Sequence, residues 1–381
     1  MRLSPEDAAR RKQLDDAFVR GRGLQSEGKL DEAARIYEQI LLRFPQHADS
    51  LTLLASISYQ RGDDIQGEAY VERAIEAQRY IIGRLPDRPT ARAPLANLLL
   101  ARGRQAEAEE ICKNLDLPLN VLRMDRQTFL DRRNAAMLAG VPPMLIATLP
   151  KSASESIWNR LAEGLRLPQS HISIGLFPDC CILGPRASGF GQGGVISKEH
   201  VAASAHNLEM LRLGGIRRVL VHLRDPRQAA VSWAHFVKTD VAMRLLAPIW
   251  RKIVPPASVL AQGGGGDLEA VIDWSLEHYL PLQIDWVTSW VDAEAAAGGP
   301  EILFLDFEGF KRDPDDYLAQ VLRFFRMAPE AFSEDKSAAA EVVHLRRGET
   351  DEWRRALSAR QQARALETMT PALCQRFGWS G

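Results

Sequence analysis

The chain has few cysteines, no long apolar run and almost no excess of charge. Only four of its 381 residues are cysteines, and their spacing indicates neither a metal knuckle nor a disulfide framework. No apolar run approaches the roughly 20 residues needed to span a bilayer, and the first residues contain no signal-like apolar core. A net charge of −1 argues against a protein that coats nucleic acid or binds an anionic membrane. We therefore predict a reduced, cytoplasmic protein whose anion sites use a few local cations.

The first 120 residues contain a repeated pattern. A turn glycine, a small residue, an aromatic and a proline form the first copy; a degraded second copy follows after about 34 residues, and a degraded third is set later by a small insertion. The pattern uses Gly28, Ala33, Tyr37 and Pro45, then Gly62, Gly67, Val71 and Ala74, then Gly103, Ala108 and Cys112. It resembles the tetratricopeptide repeat (TPR), which implies stacked helix pairs. A plain helical bundle is the alternative, and both interpretations predict an all-α domain over residues 1–120.

The character of the chain changes after a polar stretch at 121–141, which we predict to be a helical connector. From residue 142 onward, short apolar runs alternate with amphipathic helices, with the runs at 144–147, 219–223 and 302–305. Strands that alternate with helices indicate βαβ units and a parallel sheet. An α/β domain is therefore predicted over residues 142–381.

The first candidate motif follows the apolar run at 144–147. Pro150 breaks the strand, and a helix follows, so free backbone N–H groups are expected to face an anion there. Lys151 adds a charge and the serines add hydroxyl donors. The candidate phosphate-binding residues are Lys151, Ser152, Ala153, Ser154, Glu155 and Ser156. The carboxylate of Glu155 would repel a phosphate unless it points away.

Two further motifs carry arginines. Arg224 ends the second strand, Asp225 and Pro226 suit the start of a helix, and Ser232 follows within two turns, so that Arg224 and Ser232 could meet one phosphate. Near the end of the chain, Arg346, Arg347 and Gly348 precede Trp353. The glycine permits the close backbone approach that an anion loop requires.

Together the three motifs resemble the nucleotide site of the sulfotransferase family, which uses 3′-phosphoadenosine 5′-phosphosulfate (PAPS). Residues 150–155 match its 5′-phosphosulfate loop, usually Pro-Lys-Ser-Gly-Thr-Thr, with Ala153 for glycine and Glu155 for the second threonine. Residues 224–232 match its 3′-phosphate clamp, and residues 346–353 match the loop that closes over that phosphate. The resemblance implies a three-layer α/β/α, P-loop-like sulfotransferase domain over 142–381, with PAPS as donor and adenosine 3′,5′-bisphosphate as product.

The resemblance also implies catalytic roles. The family has a Lys-x-His pattern between the first two motifs, and Lys198 and His200 fit it. His200 is the predicted general base because imidazole titrates near neutrality. Lys151 is assigned to the leaving phosphate and Lys198 to the sulfuryl oxygens. Glutamate bases occur in some carbohydrate-directed members, which makes Glu155 and Glu199 reserve candidates, and no metal is expected.

Other functions and several acceptors stay open. A kinase or NTPase is the first alternative, although Pro150 replaces the glycine that a Walker A loop needs before its lysine, and a non-catalytic repeat scaffold is the second. The acceptor would offer a hydroxyl or an amine. Tryptophans, which can stack on sugars when exposed, favour a carbohydrate or glycolipid; they lie at positions 250, 274, 286 and 290. The repeats would bind a protein partner or self-associate, with no nucleic acid and no transmembrane segment.

Overall fold

The chain folds into two compact units. The structure is a computed structural model that describes residues 5–84, 91–117, 122, 124–239, 249–260, 268–333 and 349–379. The helical unit comprises Met1–Arg104 with Ala234–Trp274, and the sheet unit comprises Gln105–Trp233 with Ser275–Gly381. The domain boundaries expected near residues 120 and 141 stay a prediction. No helix in the described ranges has the length and apolarity to cross a membrane.

In the first part of the helical unit, each helix from α1 to α5 packs against the next. These helices are α1 (Pro5–Ser26), α2 (Leu30–Arg43), α3 (Ala48–Gln60), α4 (Asp64–Arg84) and α5 (Arg92–Ala101). The later segment of the unit adds the short helices Ala257–Leu260 and Leu268–Trp274.

One turn geometry recurs at the glycines that the sequence pattern aligned. Gly28, Gly62 and Gly103 have left-handed φ angles of 78°, 78° and 68°. In each turn the amide after the glycine donates to the carbonyl five residues before it, at 2.9 Å. This closure requires a positive φ, which glycine adopts without steric cost. The recurrence is a property of the turns, and the TPR assignment itself stays a prediction.

The sheet unit surrounds a five-stranded parallel sheet of order β2-β5-β1-β6-β7. Its strands are β1 (Met144–Thr148), β2 (Gln169–Ser170), β5 (Ile196–Glu199), β6 (Arg218–Leu223) and β7 (Glu301–Asp306), while β3 (Ser173–Ile174) and β4 (Cys181–Ile182) form a separate antiparallel pair. The three strands predicted from the apolar runs are confirmed as β1, β6 and β7. The unit is therefore mixed α/β with a parallel sheet.

Helices flank the strands along the whole unit. Those before β7 are α6 (Gln105–Asn114), α7 (Arg126–Leu138), α8 (Ser154–Gly164), α9 (Gly184–Phe190), α10 (Ala205–Leu213) and α11 (Pro226–Thr239), whose second half belongs to the helical unit. A π-helical turn (Ser275–Tyr279) leads into α12 (Leu280–Ala295). After β7 come α13 (Phe307–Arg312), α14 (Pro314–Phe324), a 3₁₀ turn (Pro329–Ala331), α15 (Trp353–Ala356), α16 (Ala359–Thr368) and α17 (Pro371–Phe377).

The central strand β1 is buried along its whole length, as expected for a parallel strand with both neighbours paired. Helices α8 and α14 share one hydrophobic core with β1, β5 and β6. The apolar stripe predicted on α8 supplies part of this core through Ile157 and Leu161, both fully buried. This packing holds α8 against the sheet, and the helix begins directly after the loop that leaves β1.

The tryptophans do not form an exposed sugar platform. In the sheet unit, Trp286 and Trp290 on α12 are 1% and 0% exposed, and their rings meet edge to face at 6.2 Å. In the helical unit, Trp274 is also buried. Tryptophan exposure, the reason for favouring a carbohydrate acceptor, is therefore not supported at these three positions.

Two glycines of α4 differ in what surrounds them. A Cβ at Gly67 would lie 2.5 Å from the Tyr59 ring, whereas a Cβ at Gly83 would meet nothing within 4 Å. We expect Gly67→Ala to destabilise the protein through overpacking, by about 1–3 kcal/mol before helix propensity is credited. Gly83→Ala should stabilise it by up to about 1 kcal/mol. Thermal unfolding of both variants measures the difference, and equal melting temperatures would contradict the packing.

Candidate functional site

The loop between β1 and α8 has an unusual backbone and an inward-facing serine. Lys151 and Ala153 have left-handed φ angles of 66° and 63°. The Ser152 hydroxyl is fully buried, donates to the Leu149 carbonyl at 2.7 Å and lies 2.6 Å from the Thr148 hydroxyl. The group through which Ser152 would reach an anion is therefore its backbone amide. Two other candidates follow on α8, where Ser154 is buried and Ser156 is partly exposed.

Side chains at the end of β6 form hydrogen bonds with two backbone carbonyls of the loop. Arg224 Nη1 donates to the Lys151 carbonyl at 2.8 Å, and the ring of His222 lies 2.8 Å from the Ser152 carbonyl through Nε2. Both donors belong to the end of β6 and the residue just beyond it. Arg224 is the residue that the second motif predicts at a phosphate, whereas no motif predicts a role for His222. The contacts join the first and second motifs directly.

Glu155 points at a lysine. Its carboxylate forms an ion pair with Lys198 Nζ, and that ammonium also lies 5.2 Å from the Trp158 ring centroid. Lys198 is only 7% exposed, and its ion pair with Glu155 offsets part of the cost of burying its charge. The pairing explains how a carboxylate is tolerated in the first turn of α8, beside an anion loop.

His200 lies next to the same loop. Its Nδ1 is 2.7 Å from the Thr148 carbonyl. Because a carbonyl only accepts, Nδ1 carries the proton and Nε2 keeps its lone pair. Burial, followed by the positive charge of Lys198, lowers the pKa of His200 to about 4 despite the hydrogen bond to Thr148. The ring is therefore neutral at pH 7, as a general base must be, but its pKa lies below the near-neutral value that the sequence analysis expected of a base.

Glu199 is an internal anchor. Its carboxylate accepts from the Ile172 amide at 2.7 Å and the Ser197 hydroxyl at 2.5 Å, and it also contacts the Ser173 hydroxyl and His171. Burial would raise its pKa, but the interactions with His171 and the two serines outweigh burial and lower it. With both oxygens engaged, Glu199 ties β3 to β5, and this arrangement favours His200 over it as the base.

The second motif binds the segment that follows the third. Arg224 Nη2 donates to the Glu349 carbonyl at 2.6 Å, and its guanidinium carbon lies 4.6 Å from the Phe307 ring centroid. Gln228 contacts Glu352 and accepts from the Trp353 amide at 3.1 Å. Its side chain thus fixes the start of α15. The fork of Arg224 is directed at two backbone carbonyls, while Ser232 is partly exposed on α11.

Arg227 completes this attachment. It is 1% exposed, pairs with Asp225 at 2.7 Å, donates to the Trp379 carbonyl at 2.8 Å and stacks 3.6 Å from the Trp353 ring centroid. Asp225 also accepts from the Arg227 amide at 2.9 Å, as a residue at a helix start can. The Arg-Asp-Pro-Arg pattern therefore serves to bind the C-terminal segments as well as the loop.

The third motif itself, Arg346, Arg347 and Gly348, lies outside the described residues. The residue that follows it is described, and Glu349 is held against Arg224 as stated above. Arg224 thus links the first motif to Glu349, the residue that follows the third motif. In the described ranges, no three His, Cys, Asp or Glu side chains are grouped to hold a metal.

Comparisons with known proteins give little beyond this geometry. No protein-family model matches the chain, and no curated protein matches it. Among solved structures, the crystal structure of mouse sulfotransferase SULT7A1 complexed with PAP is similar at 12% sequence identity, with a TM-score of 0.39. The similarity covers 66% of this chain and 93% of that one. A similarity this weak establishes neither a family nor a function for this chain.

Glu308, at the start of α13, is a titratable group beside the second motif that the sequence analysis did not assign. Within the described part of the chain, both of its carboxylate oxygens are buried without a hydrogen-bond partner. Burial raises its pKa to about 7, and the charges of Asp306 and Asp225 add to the shift. Folding therefore favours the protonated form of Glu308.

The free energy of unfolding is expected to fall as pH rises from about 4.5 to about 7 on account of Glu308, because in this range the carboxyl ionises in the unfolded chain but stays protonated in the folded one. Glu308→Gln should remove this loss. The variant should melt above wild type at pH 8, and its advantage should shrink at pH 5. Glu330→Gln, at an exposed position, is the control. Parallel pH profiles for Glu308→Gln and wild type would show that the carboxyl is not buried as described.

Proposed function

We propose that the sheet unit is a PAPS-dependent sulfotransferase, which transfers a sulfuryl group to a hydroxyl or amine of an acceptor. One observation carries the proposal: groups that follow three adjacent parallel strands contact one another at the carboxyl edge of the sheet. His200 lies 2.7 Å from the Thr148 carbonyl, and Arg224 lies 2.8 Å from the Lys151 carbonyl. Ligands of open parallel sheets bind at this edge.

In the proposed reaction, the acceptor oxygen or nitrogen attacks sulfur as the bond between sulfur and the bridging phosphate oxygen breaks. His200 Nε2 takes the acceptor proton, and Lys151 neutralises the charge that develops on the leaving phosphate. Positioning and charge stabilisation dominate, by analogy with phosphoryl transfer. The products are the sulfated acceptor and adenosine 3′,5′-bisphosphate.

Lys198 would act on the sulfuryl oxygens, as its neighbour His200 acts on the acceptor. Lys198 and His200 are two positions apart at the end of β5, so their side chains are expected on the same face, and the charge of Lys198 lowers the pKa of His200. The nucleotide loop would comprise residues 151–156, with Ser232 and residues 346–348 at the 3′-phosphate. Arg224 would join them through N–H groups other than the two that bond to the Lys151 and Glu349 carbonyls. The TPR interpretation of the first 120 residues, with partner binding or self-association, and a cytoplasmic location complete the proposal.

The NTPase alternative is weakened by Asp306, which ends β7 where a Walker B carboxylate would lie. Its Oδ1 accepts from the Gly309 amide at 2.6 Å and caps α13. Thermal melts distinguish the two functions, because a ligand that binds only the folded state raises its stability. Adenosine 3′,5′-bisphosphate at a hundred times its Kd should add about 2.7 kcal/mol, which corresponds to roughly 5–10 °C.

Two variants separate binding from chemistry. Lys151→Ala should abolish the shift caused by adenosine 3′,5′-bisphosphate. His200→Ala should keep that shift but lower transfer from labelled PAPS by about 10²–10⁴-fold, measured with cell extracts as the acceptor source. Lys113→Ala, which changes an exposed lysine on α6, is the control for loss of a positive charge.

Retained transfer in His200→Ala would remove His200 from the mechanism. A larger shift with ATP and Mg²⁺ than with adenosine 3′,5′-bisphosphate would favour the kinase or NTPase class. No shift with either nucleotide would overturn the enzyme assignment and leave the scaffold.

A further inference from the structure

The imidazole of His222 is enclosed beneath the nucleotide loop. The side chain is fully buried on β6, with Nε2 2.8 Å from the Ser152 carbonyl and Nδ1 3.0 Å from the Tyr317 hydroxyl on α14. The carbonyl only accepts, so Nε2 carries the proton and Nδ1 accepts from Tyr317. Tyr317 is itself 2% exposed, and its ring meets the imidazole edge to face at 5.8 Å. Both the tautomer and the ring orientation are therefore defined.

The bond to Ser152 has a consequence on the other side of the peptide. In a trans peptide unit, the C=O of one residue and the N–H of the next point in opposite directions. Because His222 holds the Ser152 carbonyl toward the sheet, the amide of Ala153 points away from it. Arg224 does the same for the amide of Ser152 by holding the Lys151 carbonyl.

The backbone of the loop agrees with this orientation. The left-handed φ angles of Lys151 and Ala153 flank Ser152, and alternation of that kind gathers successive amides into an anion-binding concavity. Left-handed conformations are unfavourable for residues with a Cβ, so the loop needs outside contacts to hold them. The buried carbonyl bonds from β6 provide two such contacts.

We propose that His222, fixed by Tyr317, is a positioning residue that orients the Ala153 amide toward the 5′-phosphosulfate of the nucleotide. The inference rests on the proposed function for the identity of the anion. His222 would thus contribute to nucleotide affinity from within the sheet, although it does not touch the ligand.

The charge state of the ring suits this role. Burial lowers the pKa of His222 to about 4, and the charge of Arg224 acts in the same direction against the hydrogen bond to Ser152. The imidazole is therefore neutral at working pH, with one donor for Ser152 and one acceptor for Tyr317. A neutral ring also places no second positive charge near the buried guanidinium of Arg224.

The test compares His222→Leu, which removes the bond, with His222→Gln, whose amide N–H can replace Nε2–H. The matched control is His206→Leu on α10, since His206 is also buried and lies 2.9 Å from another backbone carbonyl, that of Ile182. The affinity for adenosine 3′,5′-bisphosphate is measured by calorimetry well below the melting temperature. Amide hydrogen exchange of the peptide containing residues 151–155 is followed without ligand.

His222→Leu should weaken nucleotide binding by about tenfold, the value of one hydrogen bond, and accelerate exchange in the loop. His222→Gln should recover most of the affinity. Tyr317→Phe should weaken binding less, because it frees the ring without removing its donor. His206→Leu should change neither quantity, even where its melting temperature falls as much.

Unchanged affinity in His222→Leu, or an equal loss in His206→Leu, would overturn the positioning role while the proposed function stands. Wild-type protein that fails to bind adenosine 3′,5′-bisphosphate would overturn the proposed function and the nucleotide role of His222 together. Loop exchange that is identical in wild type and His222→Leu would show that the Ser152 carbonyl bond does not hold the loop.

Discussion

A backbone loop can present its amides to an anion only if the carbonyls of the same peptide units are satisfied elsewhere. The loop after β1 meets this constraint with two donors from β6 and its extension, His222 and Arg224. The neighbouring strand order β5-β1-β6 makes this possible, because it places the end of β6 beside the loop. The third element at this edge, His200, bonds to the last carbonyl of β1. Hydrogen bonds to the backbone carbonyls of Thr148, Lys151 and Ser152 thus organise the candidate site.

Charges in the site are balanced locally. Lys198 has Glu155, and Arg227 has Asp225. Partly buried ions are costly unless paired, so each pairing lets a charged residue remain inside the sheet unit. Arg224 is stabilised differently, by two carbonyls and the face of Phe307. A net charge near zero for the whole chain is consistent with cations placed singly at a site.

Sequence patterns predicted three of the five parallel strands, β1, β6 and β7, and the start of α8, because apolar runs and a helix-start signal are local features. The resemblance to the sulfotransferase family implied that Lys151, Arg224 and His200 belong to one site. The patterns did not predict the partners, because a hydrogen bond between residues distant in the chain leaves no periodic trace. No pattern gave His222 a role beyond its place in an apolar strand, and none indicated that Glu155, a loop residue and reserve candidate base, pairs with Lys198. The TPR assignment and the roles of residues 346–348 stay predictions.

The attachment of the C-terminal segments to Arg227 and Gln228 has a consequence for biosynthesis. Arg227 binds the Trp379 carbonyl and the Trp353 ring, each more than a hundred residues later in the chain. Until the region around residue 379 had left the ribosome, the Arg227 guanidinium could pair with Asp225 but would lack its contacts with Trp353 and Trp379. Contacts so distant in sequence are among the slowest to form. The proposed anion site should therefore form at a late stage of synthesis, well after helices α1 to α5 have begun to pack.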